Sequence, residues 1–353
     1  MSLTQRLVEH TLALMRIPSE SGSEAAIADH VAARLAGTGA RFVRRHGNAV
    51  VAGYGSPEPR LLLVGHLDTV PYNGNPQPAV EDGHLVGLGS SDMKSALGVM
   101  LALGEDFPHQ DFAVIFYDCE EIAYSRNGLR PLFDAEPWLG RAEAALLMEP
   151  TDNKLELGCL GTLHAAVTFT GVAAHSARPW MGENAIHKAA GFLSRVAGLP
   201  ERKVTDGPAT YREVLNITRC EGGHARNVIP DRFELNANFR FAPDRSPEGA
   251  ERFVRELVGD AAEVEIRDLA PAAPARADAA WFQKLAARGI ESRAKQAWTD
   301  VSQFALRGVP AANFGPGIPE LAHRRDERVP VENLATSYNH LASLLQDASG
   351  ETP

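Results

Sequence analysis

Apolar residues in the first half of the chain recur by turns at helical and at strand spacing. The opening segment carries an apolar stripe broken by Arg6, Glu9, His10 and Arg16, which predicts an amphipathic helix. Residues 21–37 repeat that pattern through Ala26, Ile27, Val31 and Leu35, and 94–104 (KSALGVMLALG) form a third helical run. Between them lie compact apolar runs at 49–54, 61–64, 112–117 (FAVIFY) and 144–148 (AALLM), which read as strands, most of them buried. Strands alternating with helices predict an α/β domain around a largely parallel sheet.

The pattern changes near Gly161. Residues 163–170 (LHAAVTFT) alternate as a half-exposed strand, 184–196 are helical, 215–219 and 232–241 are strands, 247–258 a helix and 263–268 a last strand. This is a smaller α+β unit. The Pro/Ala-rich stretch 269–277 (LAPAAPARA) reads as the way back, and the helical pattern of 278–289, strand-like AANFG and a closing helix over 333–345 resemble the first unit again. The expected division is therefore a first domain over 1–161 and 273–353, with 162–272 inserted into it.

Charge and cysteine content narrow the function. Lys and Arg number 35 against 45 Asp and Glu, so 35 − 45 leaves −10, which disfavours nucleic acid or an anionic membrane as the main partner. The 3 cysteines, Cys119, Cys159 and Cys220, show no paired spacing and point to a reducing compartment, the cytoplasm. No stretch reaches the ~18 uninterrupted apolar residues that a membrane-spanning helix needs.

Five polar clusters abut the apolar runs: His66 and Asp68 in GHLDTVP, Asp92 in SSDMK, Glu120 and Glu121 in DCEEI, Glu149 in MEPT, and His323 in AHRRDE. In open α/β sheets ligands bind beyond the carboxyl ends of the strands, where several of these residues fall. Imidazole and carboxylate are zinc donors, and a two-metal site needs one bridging carboxylate with about two further ligands per ion. His66 and Asp68, two apart in extended chain, face the same way, so Asp68 can hold the second ring N–H of His66. One of Glu120 and Glu121 can bind metal while its neighbour faces the substrate as a base. Each cluster alone has a plainer reading: a turn, a solvated helix, or a cap for the helix starting at Lys94. Their joint placement after successive buried strands has no such explanation.

The motifs GHLDTVP, SSDMKSALG, DCEE, MEPT and AHRRDE, in that order over nearly the whole chain, resemble the co-catalytic zinc aminoacylase, carboxypeptidase and desuccinylase family. The resemblance implies a zinc-exopeptidase-like catalytic domain with a mixed, largely parallel sheet and an inserted ferredoxin-like domain that serves as lid and dimer contact. It implies two Zn²⁺ ions, with Co²⁺ able to substitute: His66, Asp92 and Glu149 on one, Asp92, Glu121 and His323 on the other. Glu120 would be the general base of amide hydrolysis, Asp68 its neighbour behind His66, and the peptide after Asp92 would be cis. HSARPWMGENAI resembles the segment from which a homodimer partner supplies an oxyanion-stabilising histidine, here His175. GGHARNVIPD and NFRF bring in Asn227 and Arg240 as substrate contacts, Arg240 because its planar fork suits a carboxylate. Thr299 in WTDVSQF and Thr162 in CLGT complete that set.

Within the family, YDCEEI, HSARPW, ARNVIPDRFE, NFRFAPDR and NFGPG resemble the succinyl-diaminopimelate desuccinylases of high-GC Gram-positive bacteria. That branch implies release of succinate from N-succinyl-LL-2,6-diaminopimelate. The chain departs from many relatives at EEIAYSRNG, which lacks an early glycine after the glutamate pair, and at CLGT, which lacks a preceding arginine. The alternative within the family is a deacylase of other N-acyl amino acids, such as acetylornithine deacetylase. A binding protein with only structural metal has no use for a free base such as Glu120 beside the ligands.

Overall fold

A computed structural model describes residues 1–348, which fall into two compact units. Among the described residues the first comprises Met1–Gly158, Ala275–Ala294 and 303–348; the second comprises Cys159–Pro274 and Lys295–Ser302. Lys295–Ser302, and with it Thr299, thus packs with the second unit, whereas the sequence pattern assigns it to the first.

The first unit is built on an eight-stranded sheet in the order Phe42–His46, Ala49–Gly53, Phe112–Tyr117, Leu61–His66, Ala144–Leu147, Ala311–Asn313, Leu155–Leu157, Ser292–Ala294. Its centre is parallel: Leu61–His66 pairs in parallel with Phe112–Tyr117 on one side and Ala144–Leu147 on the other, and Ala311–Asn313 continues in parallel. These central strands are buried along their length, as their unbroken apolar runs require. Helix Lys94–Asp106 is buried from Lys94 through Gly104, because helix Leu3–Met15 lies against it on the side away from the sheet. Gly98 permits that approach: a Cβ there would stand 2.5 Å from Thr11 Oγ1. The Lys94 ammonium, almost fully buried, donates to the Leu14 and Ile17 carbonyls at 3.3 and 2.8 Å, at the negative end of the dipole of helix Leu3–Met15.

The second unit holds a five-stranded antiparallel sheet ordered Arg202–Asp206, Ala209–Gly222, Arg232–Phe241, Gly161–Thr170, Glu263–Ala270. Helices Ala185–Ala197 and Pro247–Val258 cover one face, burying Leu163, Val167, Phe169, Phe192, Leu235, Phe239 and Val254. Leaving aside the edge strand Arg202–Asp206, chain order and strand order are those of a β-α-β-β-α-β ferredoxin-like unit. The edge strand itself is a departure from the sequence pattern. It is polar and nowhere fully buried, and it hairpins onto its neighbour through the turn Gly207-Pro208, with Gly207 at φ 57°.

Candidate metal centre

The central parallel strands of the first unit end on one side, and the polar clusters follow them there. His66 closes strand Leu61–His66 and is 1% exposed, and Asp68, two residues on, is fully buried. Glu120 and Glu121 follow strand Phe112–Tyr117; Glu149 follows Ala144–Leu147 and is also buried. Asp92 lies in the loop before helix Lys94–Asp106, and the Asp92–Met93 peptide is cis. His323 comes from the loop between Pro319–Leu321 and strand Arg328–Pro330, at φ 61° in the left-handed region.

These side chains converge. Donor atoms of His66, Asp92 and Glu149 lie within 4.8 Å of one another, and the same holds for Asp92, Glu121 and His323. Asp92 belongs to both sets through different oxygens: its Oδ1 is 3.1 Å from His66 Nε2 and its Oδ2 is 3.4 Å from His323 Nε2. Glu121 Oε1 lies 2.9 Å from the same His323 nitrogen. Hydrogen bonds to Asp92 and Glu121 push the His323 imidazole up to about 10. Burial disfavours a charged His66, yet hydrogen bonds to Asp68 and Asp92 outweigh it and raise that imidazole well above its usual value. The carboxylates therefore call for positive charge at both histidines. A divalent cation in contact with neutral imidazole and carboxylate answers the same demand, and the donor types are those zinc takes.

Asp68 does more than the sequence suggests. The nearer partner of His66 Nδ1 is the Asp68 main-chain oxygen, at 3.0 Å, with the carboxylate at 3.5 Å. That carboxylate accepts instead from Ser21 Oγ at 2.7 Å and from the backbone N–H groups of Glu120 and Glu121 at 3.1 and 3.0 Å. It anchors the glutamate pair by its backbone. Although burial pushes Asp68 upward, its bonds to His66, Ser21 and Glu121 hold it below the usual carboxylate range. Cys119, at φ 59°, turns the chain into the glutamate pair; burial, with Glu24 beside it, pushes its thiol up to about 12, so it is no nucleophile.

Two buried acids that bond to the backbone beside these residues were not singled out in the sequence. Glu24 accepts from Gly22 N–H at 2.7 Å and Cys119 N–H at 3.2 Å. Glu327, the last residue of AHRRDE, accepts from backbone N–H groups of the Asp92 loop, and burial pushes it up to about 7. The only signal available for Glu327 was its place in that motif.

The remaining predicted residues belong to the second unit, where they form two groups. Thr162 and Arg240 are register partners on adjacent strands. Arg240 is half-buried, its Nε donates to Asn238 Oδ1 at 3.1 Å, and burial lowers its pKa. His175 and Asn227 meet at an exposed tip, where Ser176 N–H donates to the Asn227 carbonyl at 2.9 Å and His175 Nδ1 accepts from Ala177 N–H at 3.1 Å. Thr299 is buried near Cys159, whose Sγ lies 3.5 Å from the Thr299 carbonyl. The Thr162 hydroxyl has no hydrogen-bond partner among the described residues.

Parallel strands ending on histidine and carboxylate donors define a metallohydrolase, and the chain belongs to peptidase family M20/M25/M40, whose model matches residues 62–347. It is a metal-dependent hydrolase. Among its relatives, a Mycobacterium tuberculosis (strain H37Rv) protein named provisionally as succinyl-diaminopimelate desuccinylase DapE is 46% identical over 346 residues, 96% of this chain and 97% of that one. Succinyl-diaminopimelate desuccinylase of Corynebacterium glutamicum is 44% identical over 348 residues, 94% of this chain and 92% of that one. The fold is shared with the crystal structure of aminopeptidase PepT from Bacillus cereus, at TM-score 0.77 and 20% identity over 98% of this chain and 99% of that one.

Proposed function

We propose that this chain hydrolyses N-succinyl-LL-2,6-diaminopimelate to succinate and LL-2,6-diaminopimelate, a step of lysine and meso-diaminopimelate biosynthesis, using two Zn²⁺ ions that Co²⁺ can replace. Similarity to desuccinylases over nearly the full length supports the substrate. The observation that carries the metal count is the double use of Asp92, one oxygen toward His66 at 3.1 Å and the other toward His323 at 3.4 Å. One cation would be held by His66, Asp92 and Glu149, the other by Asp92, Glu121 and His323. When bound, such a pair supplies Lewis acidity to an amide carbonyl and acidifies water. Glu120, placed by its backbone bond to Asp68, takes the proton of the attacking water and returns it to the departing nitrogen.

Arg240 binds a substrate carboxylate with the terminal nitrogens of its fork, and Thr162, Thr299 and Asn227 add polar contacts. His175 donates to the developing oxyanion in the partner of a homodimer. Exposed apolar side chains close to it in sequence, Val172 at 51%, Trp180 at 79% and Met181 at 63%, support such a contact. In this reading the first unit is catalytic and the second is lid and dimer contact. The three free cysteines suit the cytoplasm. Among the described residues no helix is long and apolar enough to cross a membrane.

The test is steady-state turnover of succinyl-diaminopimelate and acetylornithine by zinc-loaded enzyme. Preference for the succinylated substrate, abolished by chelation and restored by Zn²⁺, is expected; preference for acetylornithine sinks the assignment.

A further inference from the structure

We propose that Glu327 is a positioning residue for the metal centre, a buried carboxylate that fixes the Asp92 loop so that the two Asp92 oxygens face two cations. The proposal rests on the dinuclear reading above and adds a residue outside the ligand set.

Glu327 is 1% exposed and lies four residues after His323. Its Oε1 accepts from the backbone N–H groups of Ser91 and Asp92 at 2.8 and 2.9 Å, and its Oε2 from that of Gly89 at 3.1 Å. The Glu327 carbonyl accepts from Gly87 N–H at 3.0 Å, so the segment from Gly87 to Asp92 is tied to this one residue at four points. Ser91 Oγ adds contacts to the Ile318 and Arg328 carbonyls, both at 3.3 Å. The two loops that carry Asp92 and His323 are thereby stapled to each other.

Burying a carboxylate is costly unless its oxygens are satisfied, and here backbone amides satisfy both. Backbone amides, unlike side chains, have no rotamers, so the carboxylate sets the path of the backbone itself. The bond to Asp92 N–H fixes the Cα from which the shared carboxylate projects. Outer partners of this kind orient metal ligands, and their loss typically costs 10–100-fold in metal affinity. A role confined to folding would lower melting temperature and leave affinity alone.

The experiment is calorimetric titration of metal-free enzyme with Zn²⁺, comparing the parent with Glu327→Ala and Glu327→Gln, alongside melting of each metal-free protein. We expect Glu327→Ala to bind Zn²⁺ about 10–100-fold more weakly. Glu327→Gln falls between, because its amide oxygen can keep the bonds from Ser91 and Asp92 while its NH₂ opposes Gly89 N–H. Zn²⁺ affinity within about twofold of the parent in either variant, whatever its melting temperature, overturns the proposal. Should Glu327→Ala fail to fold, Glu327→Gln decides by the same criterion. A parent that takes up no second Zn²⁺ is a different result, contradicting the dinuclear reading before any variant is compared.

Discussion

The two units treat their polar residues in opposite ways. In the first, polar groups around the candidate metal centre hold one another: Asp68 binds Ser21 and the glutamate backbone, Glu327 binds the Asp92 loop, and both histidines touch carboxylates. In the second, the Thr162 hydroxyl lacks a partner among the described residues, Arg240 is held through Nε, and His175 stands exposed. In the roles proposed above, the contrast would separate bond-breaking chemistry, which needs donors fixed to a fraction of an ångström, from recognition, which needs groups free to meet a ligand.

Substitutions can break that contrast. The largest effect is expected for Glu120→Ala, which should lower kcat by about 10²–10⁴-fold while Zn²⁺ stoichiometry stays that of the parent. Undiminished turnover would remove the general base from the account. His175→Ala should cost about 10²–10³-fold in kcat with unchanged metal content, as loss of one oxyanion donor does. If His175 only shapes the tip of its unit, kcat will hold and sedimentation alone will change. Arg240→Lys keeps charge but loses the fork, and should lower kcat/KM by about 10–100-fold, equivalent to losing one charge-assisted hydrogen bond, chiefly through KM. A fall in kcat at constant KM would instead place Arg240 with the chemistry. Smallest is Arg141→Ala, which removes an exposed pair with Glu58 at 2.7 Å and should shift stability by about 1 kcal/mol or less in a denaturant melt.

How much of this the sequence discloses follows the same divide. Strands such as FAVIFY and LLLVGH are legible because both their faces are buried, so their apolar side chains form compact runs just before the polar clusters. Phe42–His46 and Arg202–Asp206 are not, since these edge strands carry exposed polar residues, Arg44 and Arg45 in one and Lys203 and Thr205 in the other, whose spacing resembles a loop. Among the polar residues, His66, Asp92 and Glu121 stand out in the sequence because imidazole and carboxylate donors sit beside buried apolar runs. Glu327 does not, because its partners are backbone N–H groups that every residue but proline carries, and only the fold says which of them point at a carboxylate. The place of Thr299 was hidden for a related reason: the short return of Lys295–Ser302 to the second unit is a matter of packing that no periodicity records.

Anomalous diffraction at the zinc edge from crystals of the zinc-loaded enzyme tests the central claim most directly. The account predicts two peaks per chain flanking Asp92, one in contact with His66 and Glu149, the other with Glu121 and His323. A single peak, or peaks that leave Asp92 without metal on either oxygen, would contradict it.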